Sequence, residues 1–193
     1  MPSTYTSSNG IELIATGEQS GTWGSTTNTN LQIVDRVLSG VGTIDLSGSG
    51  AAHTLTTTDG TLTDGMYKLL VLSGATEACT ITVAPNDAQK IYFVYNNSGQ
   101  SCVFSQGSGS NVTIANGDTK IIYCDGAGAG AAVSDFTANL AMSSVNISGG
   151  AISGITDLAI ADGGTGASTV SAAQTNLQVD PAGTAVALAI ALG

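Results

Sequence analysis

The stretch SVNISGGAISGITDLAIADGGTGA, residues Ser144–Ala167, decides the fold prediction for this chain. Glycines and β-branched residues recur through it, and both are poor helix formers. Its apolar side chains are regularly spaced, but they are too few to form a hydrophobic core within a single β-ribbon. We therefore predict that three copies intertwine as a β shaft, with glycines where backbones turn or approach closely. The side chains predicted at this trimer interface are Val145, Ile147, Ile152, Ile155, Leu158 and Ile160.

A short helix and an apolar tail follow this stretch. Ser168 or Thr169 can cap a helix that ends at Leu177. Val170 and Leu177 share one face of it, so three copies can form a small bundle, and both residues join the predicted trimer interface. The tail Thr184–Leu192 has about half of the ~18 residues that a membrane crossing needs, so we expect no membrane insertion. We expect the tail to pack within the trimer or against the next protein of the assembly.

The middle of the chain has a period of two. Runs of alternating residues are separated by turn dipeptides such as Asp59-Gly60 and Asn116-Gly117. Their regular spacing predicts a small antiparallel β-sandwich or barrel over residues 42–136. The predicted strands are Thr43–Ser47, His53–Thr57, Met66–Ser73, Cys79–Ala84, Lys90–Asn97, Cys102–Gln106, Asn111–Ala115, Thr119–Asp125 and Ala131–Phe136.

Two of these strands are apolar on both faces. Ile91, Phe93 and Tyr95 share one face of the first strand, with Val94 on the other face. The second strand repeats the pattern, with Ile121 and Tyr123 on one face and Ile122 on the other. A strand of this kind is either central in its sheet or has one face against a neighbouring subunit.

The N-terminal part combines a polar arm with one amphipathic helix. We expect the first ten residues to be extended or disordered until they meet a partner. Thr27 or Asn28 can cap a helix that ends at about Ser39, with Gly40 after it. So short a helix needs a partner, either its trimer mates or another protein. The apolar stripe of this helix contains Leu31, Val34 and Leu38.

Trp23, the only tryptophan, lies in the polar segment before this helix. Two interpretations fit a single large aromatic side chain in such a segment. It either plugs the base of the helix or anchors the segment in a pocket of another protein.

Composition excludes several functional classes. The net charge is −10, from 14 acidic and only 4 basic residues, so we expect no nucleic acid partner, which would require clustered Lys and Arg. Charged residues make up 9% of the chain, against about 25% in an average domain. Weakly charged, β-rich chains of this kind are typical of structural proteins. The three cysteines lack metal-ligand spacing and are predicted to be buried free thiols of a protein assembled in a reducing cytoplasm.

No motif indicates catalysis, so we predict that the chain is not an enzyme and has no cofactor or metal. His53 is the only histidine, and its sequence neighbours show no nucleophile motif, so we place it at the surface or at a strand edge. The glycine clusters lack the strand–turn–helix context of a phosphate loop. Asp157 and Asp162 from three chains could form a cation-binding ring, but Asp162 fits better as a cap of the following glycine turn.

Two segments resemble a known family. The run ISGGAISGITDLAIADGGTGAST followed by VSAAQTNLQ, within Val145–Gln178, resembles the shaft motif of tail-fibre proteins of tailed bacteriophages. The run GTWGSTTNTNL, Gly21–Leu31, resembles the N-terminal motif of fibre-type proteins of short-tailed marine phages. The middle of the chain resembles the small β-domain that often lies between these two parts.

The resemblance implies a homotrimeric fibre in the tail of a virion, assembled in the host cytoplasm and involved in host attachment. Its partners would be copies of itself, other tail proteins and a host surface receptor. Four parts are expected: an attachment part (1–41), the β-domain (42–136), the shaft (137–167), and a helix with an apolar tail (168–193). The residues implied in virion docking are Trp23, Asn28, Asn30, Leu31, Val34 and Leu38.

Two alternatives stay open. The first is a head fibre or decoration protein, which has the same fibre architecture but is attached to the capsid. The second is a carbohydrate-binding β-domain, against which stand the low aromatic content of 5% and the absence of tryptophan from residues 42–136.

Overall fold

The computed structural model describes residues 2–138, 165–167, 169–179 and 184–192. These residues belong to two compact units, Met1–Ala141 and Met142–Gly193. The predicted shaft, Val145–Ile160, lies outside the described residues, so the intertwined trimer stays a prediction. The mainly β character is confirmed, because eleven strands in three sheets form the framework of the first unit.

The first unit contains eleven described strands and one long helix. Two 3₁₀ turns, Asp64–Met66 and Gly128–Gly130, lie between β4 and β5 and between β10 and β11. In chain order the elements are β1 (Thr4–Tyr5), β2 (Glu12–Leu13), α1 (Trp23–Ser39), β3 (Val41–Asp45), β4 (Ala52–Thr56), β5 (Leu69–Ser73), β6 (Cys79–Ala84), β7 (Lys90–Asn97), β8 (Cys102–Ser105), β9 (Val112–Ile114), β10 (Thr119–Cys124) and β11 (Val133–Asp135).

The chain from β3 to β8 winds through two sheets alternately. Strands β3, β5 and β7 are parallel neighbours in a five-stranded sheet of order β11-β10-β7-β5-β3. Strands β4, β6 and β8 are parallel neighbours in a four-stranded sheet of order β4-β6-β8-β9. The chain then reverses, because β9 pairs antiparallel with β8, and β10 antiparallel with both β7 and β11.

The predicted antiparallel arrangement is therefore wrong for most of this domain, although all nine predicted strands exist. The antiparallel prediction rests on the regular spacing of short strands and turn dipeptides, a pattern that parallel strands in two sheets also produce when the chain alternates between them. Most of these turns carry the chain across to the opposite sheet, so each strand from β3 to β6 pairs with the next strand but one. Turn residues indicate where a strand ends, but they do not determine in which sheet the next strand lies.

The core lies between the two large sheets. Strand residues alternate, so every second side chain points inward, as the period of two requires. Phe104 and Tyr92 are the largest of these buried side chains, and the Tyr92 hydroxyl donates to the Gly65 carbonyl oxygen at 2.7 Å. The remaining core consists of three cysteines and aliphatic residues, which include Leu46, Leu55, Leu70, Leu72, Ile81, Val83, Val94, Ile114 and Ile122.

Helix α1 is longer than the sequence predicted. It begins at Trp23 rather than after Thr27 or Asn28, and Thr22 occupies its N-cap without a side-chain cap hydrogen bond. The run of Ser, Thr and Asn residues offers several possible caps, which made the start hard to place. Gly40 follows the helix as predicted, and its N–H donates to the Arg36 carbonyl oxygen at 2.8 Å.

The N-terminal arm is ordered against this unit, contrary to the expectation of an extended or disordered segment. Strand β1 pairs antiparallel with β2. The turn between them is held by two contacts to the start of β7: Lys90 Nζ donates to Asn9 Oδ1 at 2.9 Å, and the Gln89 N–H donates to Ser8 Oγ at 3.3 Å. These hydrogen bonds tie the arm to the β-domain without any second chain.

The second unit contains two described helices. The predicted helix is confirmed as α2 (Val170–Asn176), and its N-cap Thr169 accepts a hydrogen bond from the Ala172 N–H at 3.2 Å. The apolar tail forms a further helix, α3 (Thr184–Ala191), which the sequence analysis did not predict. Alternation of Ala with larger apolar residues gave no clear helical stripe there, although Ala is the strongest helix former.

Candidate functional site

The five-stranded sheet is apolar on both of its faces. Its inner face supplies core residues that are almost completely buried, such as Leu70 and Val94. On its outer face, Phe93 and Tyr95 retain 40% and 39% of their accessible surface. Aromatic side chains exposed in neighbouring positions are unusual on a solvated sheet and typically mark an interaction surface.

Strand register joins these outer side chains into one row. Val41 on β3 is paired with Leu69 on β5, and Leu69 is paired with Phe93 on β7. Phe93 is paired with Ile121 on β10, whose carbonyl oxygen accepts from the N–H of Phe136 at 2.8 Å. The row therefore places an apolar side chain on each of four strands and ends at Phe136, directly after β11. We call this row, with Ile91, Tyr95 and Tyr123 beside it, the outer apolar face.

The four-stranded sheet provides an internal comparison. Its outer positions Thr54, Thr82 and Ser105 are paired across β4, β6 and β8, and the neighbouring Thr80 is exposed as well. Hydroxyl-bearing β-branched residues are suited to a strand surface in water. One protein thus carries a polar outer sheet face and an apolar one, so the apolar face is not a general consequence of its composition.

Helix α1 adds a second exposed apolar feature. Leu31, Val34 and Leu38 follow the three–four spacing of a helix-packing seam, and Leu31 and Leu38 retain 61% and 70% of their surface. On the opposite side, Ile33 is completely buried against the β-domain. Leu31 also lines an open groove together with Val41, so the helix seam adjoins the end of the outer apolar face.

Two cations lie against aromatic rings of this region. The Arg36 guanidinium lies 4.4 Å from the centre of the Tyr67 ring and donates to the Thr63 carbonyl oxygen at 3.1 Å. Lys68 Nζ lies 5.9 Å from the centre of the Phe93 ring. Both geometries are those of cation–π contacts, in which the charged group lies over the face of an aromatic ring.

The residues predicted to dock on a virion all lie on or next to α1. Trp23 is the first helical residue and is 63% exposed, so it does not plug the base of the helix; its docking role stays a prediction. Asn28 is exposed. Asn30 is engaged within the chain, since its side chain makes two hydrogen bonds with the backbone of Glu12.

Of the predicted trimer-interface residues, only two lie among those described. Val170 and Leu177 are 77% and 51% exposed on α2. The other six, Val145 to Ile160, lie outside the described residues. The row from Val41 to Phe136 is absent from the trimer-interface residues predicted from the sequence, although contact with a neighbouring subunit was one of two interpretations for β7 and β10. The one feature of the sequence that pointed to this row was the presence of apolar residues on both faces of β7 and β10.

His53 lies on β4, an edge strand of the four-stranded sheet, as the sequence predicts. It has polar partners that the local sequence did not reveal: Ser49 Oγ lies 3.2 Å from Nδ1, and Asp64 Oδ2 lies 3.2 Å from Nε2. The second oxygen of Asp64 accepts from the Thr56 N–H at 2.8 Å. Asp64 therefore fastens the 3₁₀ turn to the β4 edge, which is a structural role.

The three cysteines are buried in the core, as predicted. Burial, together with the nearby charge of Asp125, raises the pKa of Cys124 to about 12, so this thiol stays protonated and unreactive. In the described part of the chain, no cluster of three metal-ligating side chains occurs. No helix among the described residues combines the length and apolar character that a membrane crossing requires.

Comparisons with protein-family models, with curated proteins and with solved structures found no match to this chain. The surface geometry and the sequence motifs are therefore the basis for a functional proposal.

Proposed function

We propose that this chain is a non-enzymatic structural protein of a virion: a homotrimeric bacteriophage tail fibre, or its tail-attached proximal part, involved in host attachment. The shaft and N-terminal motifs support the family. The observation that supports self-association is the contrast between two outer rows of paired residues. One row consists of Thr54, Thr82 and Ser105, and the other of Val41, Leu69, Phe93 and Ile121.

In this proposal the outer apolar face and the helix seam are covered by neighbouring copies. Burying an exposed apolar side chain contributes about 25 cal/mol for each Å² removed from water. A row of five such residues with an adjoining helix seam gives a continuous surface of the kind found in the centre of homo-oligomer interfaces. The seam residues that also carry the predicted docking role would then be shared between trimer contacts and tail contacts.

The absolute mass of the purified chain in solution tests the assembly. We expect about three times 19.0 kDa by light scattering on a size-exclusion column. Phe93→Lys puts a charge in the centre of the outer apolar face and should weaken the assembly at low protein concentration. Thr82→Lys is the matched control, because Thr82 occupies an exposed central position on the opposite sheet.

A folded wild-type monomer would contradict the proposed assembly. Equal weakening by Phe93→Lys and Thr82→Lys would show that the outer apolar face has no special part in it. Antibody labelling of virions tests the location separately, since label on the capsid rather than the tail would exclude a tail fibre.

A further inference from the structure

A small cavity lies at the end of the five-stranded sheet where β7 begins, beside α1. Its volume is about 280 Å³, below the range of sites for drug-sized ligands. Lys68 and Lys90, two of the four basic residues of the chain, line it. Among the described residues that line the cavity, none carries a carboxylate. In a protein with a net charge of −10, this concentration of positive charge is a local exception.

Lys90 is the unusual member of the pair. Its side chain is buried, with the residue only 6% exposed, yet an ammonium group has three hydrogens to donate. Within the described residues its only hydrogen-bond acceptor is Asn9 Oδ1, at 2.9 Å. Burial lowers the pKa of Lys90 to about 8, because the charged form is desolvated without a matching anion. An anionic group in the cavity would supply the missing acceptors.

The remaining walls suit a small ring with hydroxyl groups. Val37, Met66 and Ile91 supply apolar surface, while the side-chain amides of Asn9 and Gln89 lie at the same cavity. Asn9 uses its oxygen for Lys90, and Gln89 uses its amide nitrogen for the Asp125 carbonyl oxygen at 3.4 Å. Among the described residues, nothing hydrogen-bonds to the Asn9 nitrogen or the Gln89 oxygen, which can serve as a donor and an acceptor for hydroxyl groups.

We propose that this cavity binds a single sugar-acid unit, with its carboxylate against the ammonium of Lys90 and its ring between the apolar wall and the two amides. Acidic sugars of this class occur in cell-surface polysaccharides, so the site would give an attachment protein a direct contact with its host. The proposal does not depend on trimer formation, and its test can fail while the assembly test succeeds.

Glucuronate and galacturonate are suitable probes, with the full-length protein as the target and saturation-transfer NMR or calorimetry as the readout. We expect a dissociation constant of about 10 mM or tighter for at least one of them. Lys90→Met keeps the unbranched side chain, one atom shorter, without its charge and should weaken binding about tenfold or more. Lys120→Met is the matched control, because Lys120 pairs with Asp135 outside the cavity, and should bind like the wild type.

Four outcomes would overturn the proposal: no binding of either sugar acid, binding unchanged by Lys90→Met, glucose bound as tightly as glucuronate, or acetate bound as tightly as glucuronate. Equal binding of glucose would show that the carboxylate makes no contribution. Equal binding of acetate would show that the sugar ring makes none. If Lys90→Met does not fold, Lys68→Met provides the test, and we expect about threefold weaker binding from the loss of its cavity charge.

Discussion

The side chain of Asn30 on α1 pairs with the backbone of Glu12 on β2 as a neighbouring strand would. Asn30 Nδ2 donates to the Glu12 carbonyl oxygen at 2.9 Å, and the Glu12 N–H donates to Asn30 Oδ1 at 3.0 Å. The Asn30 side chain thus satisfies both the backbone N–H and the backbone carbonyl oxygen of Glu12, which lies in a sheet of only two strands. The helix and the N-terminal arm are thereby fixed to each other.

Asn30→Ala should release the arm from the helix. Both backbone groups of Glu12 lose their partner, and we expect faster hydrogen exchange of the Glu12 amide with a loss of about 1–2 kcal/mol in the free energy of unfolding. Asn28→Ala is the matched control two residues earlier, since Asn28 is exposed. Protection of Glu12 that survives Asn30→Ala would show that the other contacts of the arm are sufficient to hold it.

Local patterns predicted the elements of this protein well. The period of two located all nine strands from β3 to β11, because alternation is a property of each strand by itself. The cap at Thr169 and the end of α1 at Gly40 were likewise set by residues within one turn. The start of α1 at Trp23 was missed because Ser, Thr and Asn are acceptable both in caps and, with support from packing, inside a helix.

Strand direction and the outer apolar face depend on contacts that are distant in sequence. Val41 and Phe136 belong to one row only because five strands pair in a particular order, and no local pattern contains that order. The aromatic residues of β7 are consistent with a face that contacts a neighbouring subunit, but a central strand buried on both faces has the same sequence pattern. The partners of His53 were missed for the same reason, since Asp64 reaches it through a separate turn.

Gly42 is predicted to be intolerant of any side chain. A Cβ there would lie 2.6 Å from Cγ of the Tyr67 ring, which packs between Gly42 and the Arg36 guanidinium. Gly42→Ala should therefore displace Tyr67 and lower the free energy of unfolding by about 1–3 kcal/mol. Gly48→Ala is the control, because a Cβ at Gly48 meets no described atom within 4 Å. Similar urea midpoints for the two variants would contradict this packing.

Asn96 is a completely buried amide that uses all of its hydrogen-bonding capacity. Its nitrogen donates to the carbonyl oxygens of Gln100 and Ile114, both at 2.8 Å, and its oxygen accepts from Ser98 N–H and Oγ. Asn96→Ala removes one donor from each of these carbonyl groups and the shared acceptor of Ser98, so we expect a loss of about 2–4 kcal/mol in chemical denaturation. Asn97→Ala, at the exposed neighbouring position, should change stability by less than about 0.5 kcal/mol. A comparable loss for both would refute the buried network.

The ion pair between Lys120 and Asp135 joins β10 to β11, with 2.8 Å between Nζ and Oδ2. Partial burial raises the pKa of Asp135, but hydrogen bonds from Lys120 and Thr137 outweigh that effect and bring the pKa to about 2. Since this folded-state pKa lies below the ordinary Asp value of about 3.9, the unfolded chain binds more protons between these two pH values. The stabilisation is therefore complete above pH ~4 and is lost as the pH falls towards 2.

Asp135→Asn should accordingly destabilise the protein at neutral pH and much less in acid. We expect a loss of about 1–2 kcal/mol at pH 7, after allowance for solvent screening of a partly exposed pair, shrinking towards zero near pH 2. Urea denaturation of both proteins across this range measures the difference directly. Asp59→Asn, an exposed turn carboxylate, controls for the general loss of negative charge. A difference between Asp135→Asn and wild type that stays constant down to pH 2 would mean that the carboxylate charge is not what Lys120 recognises.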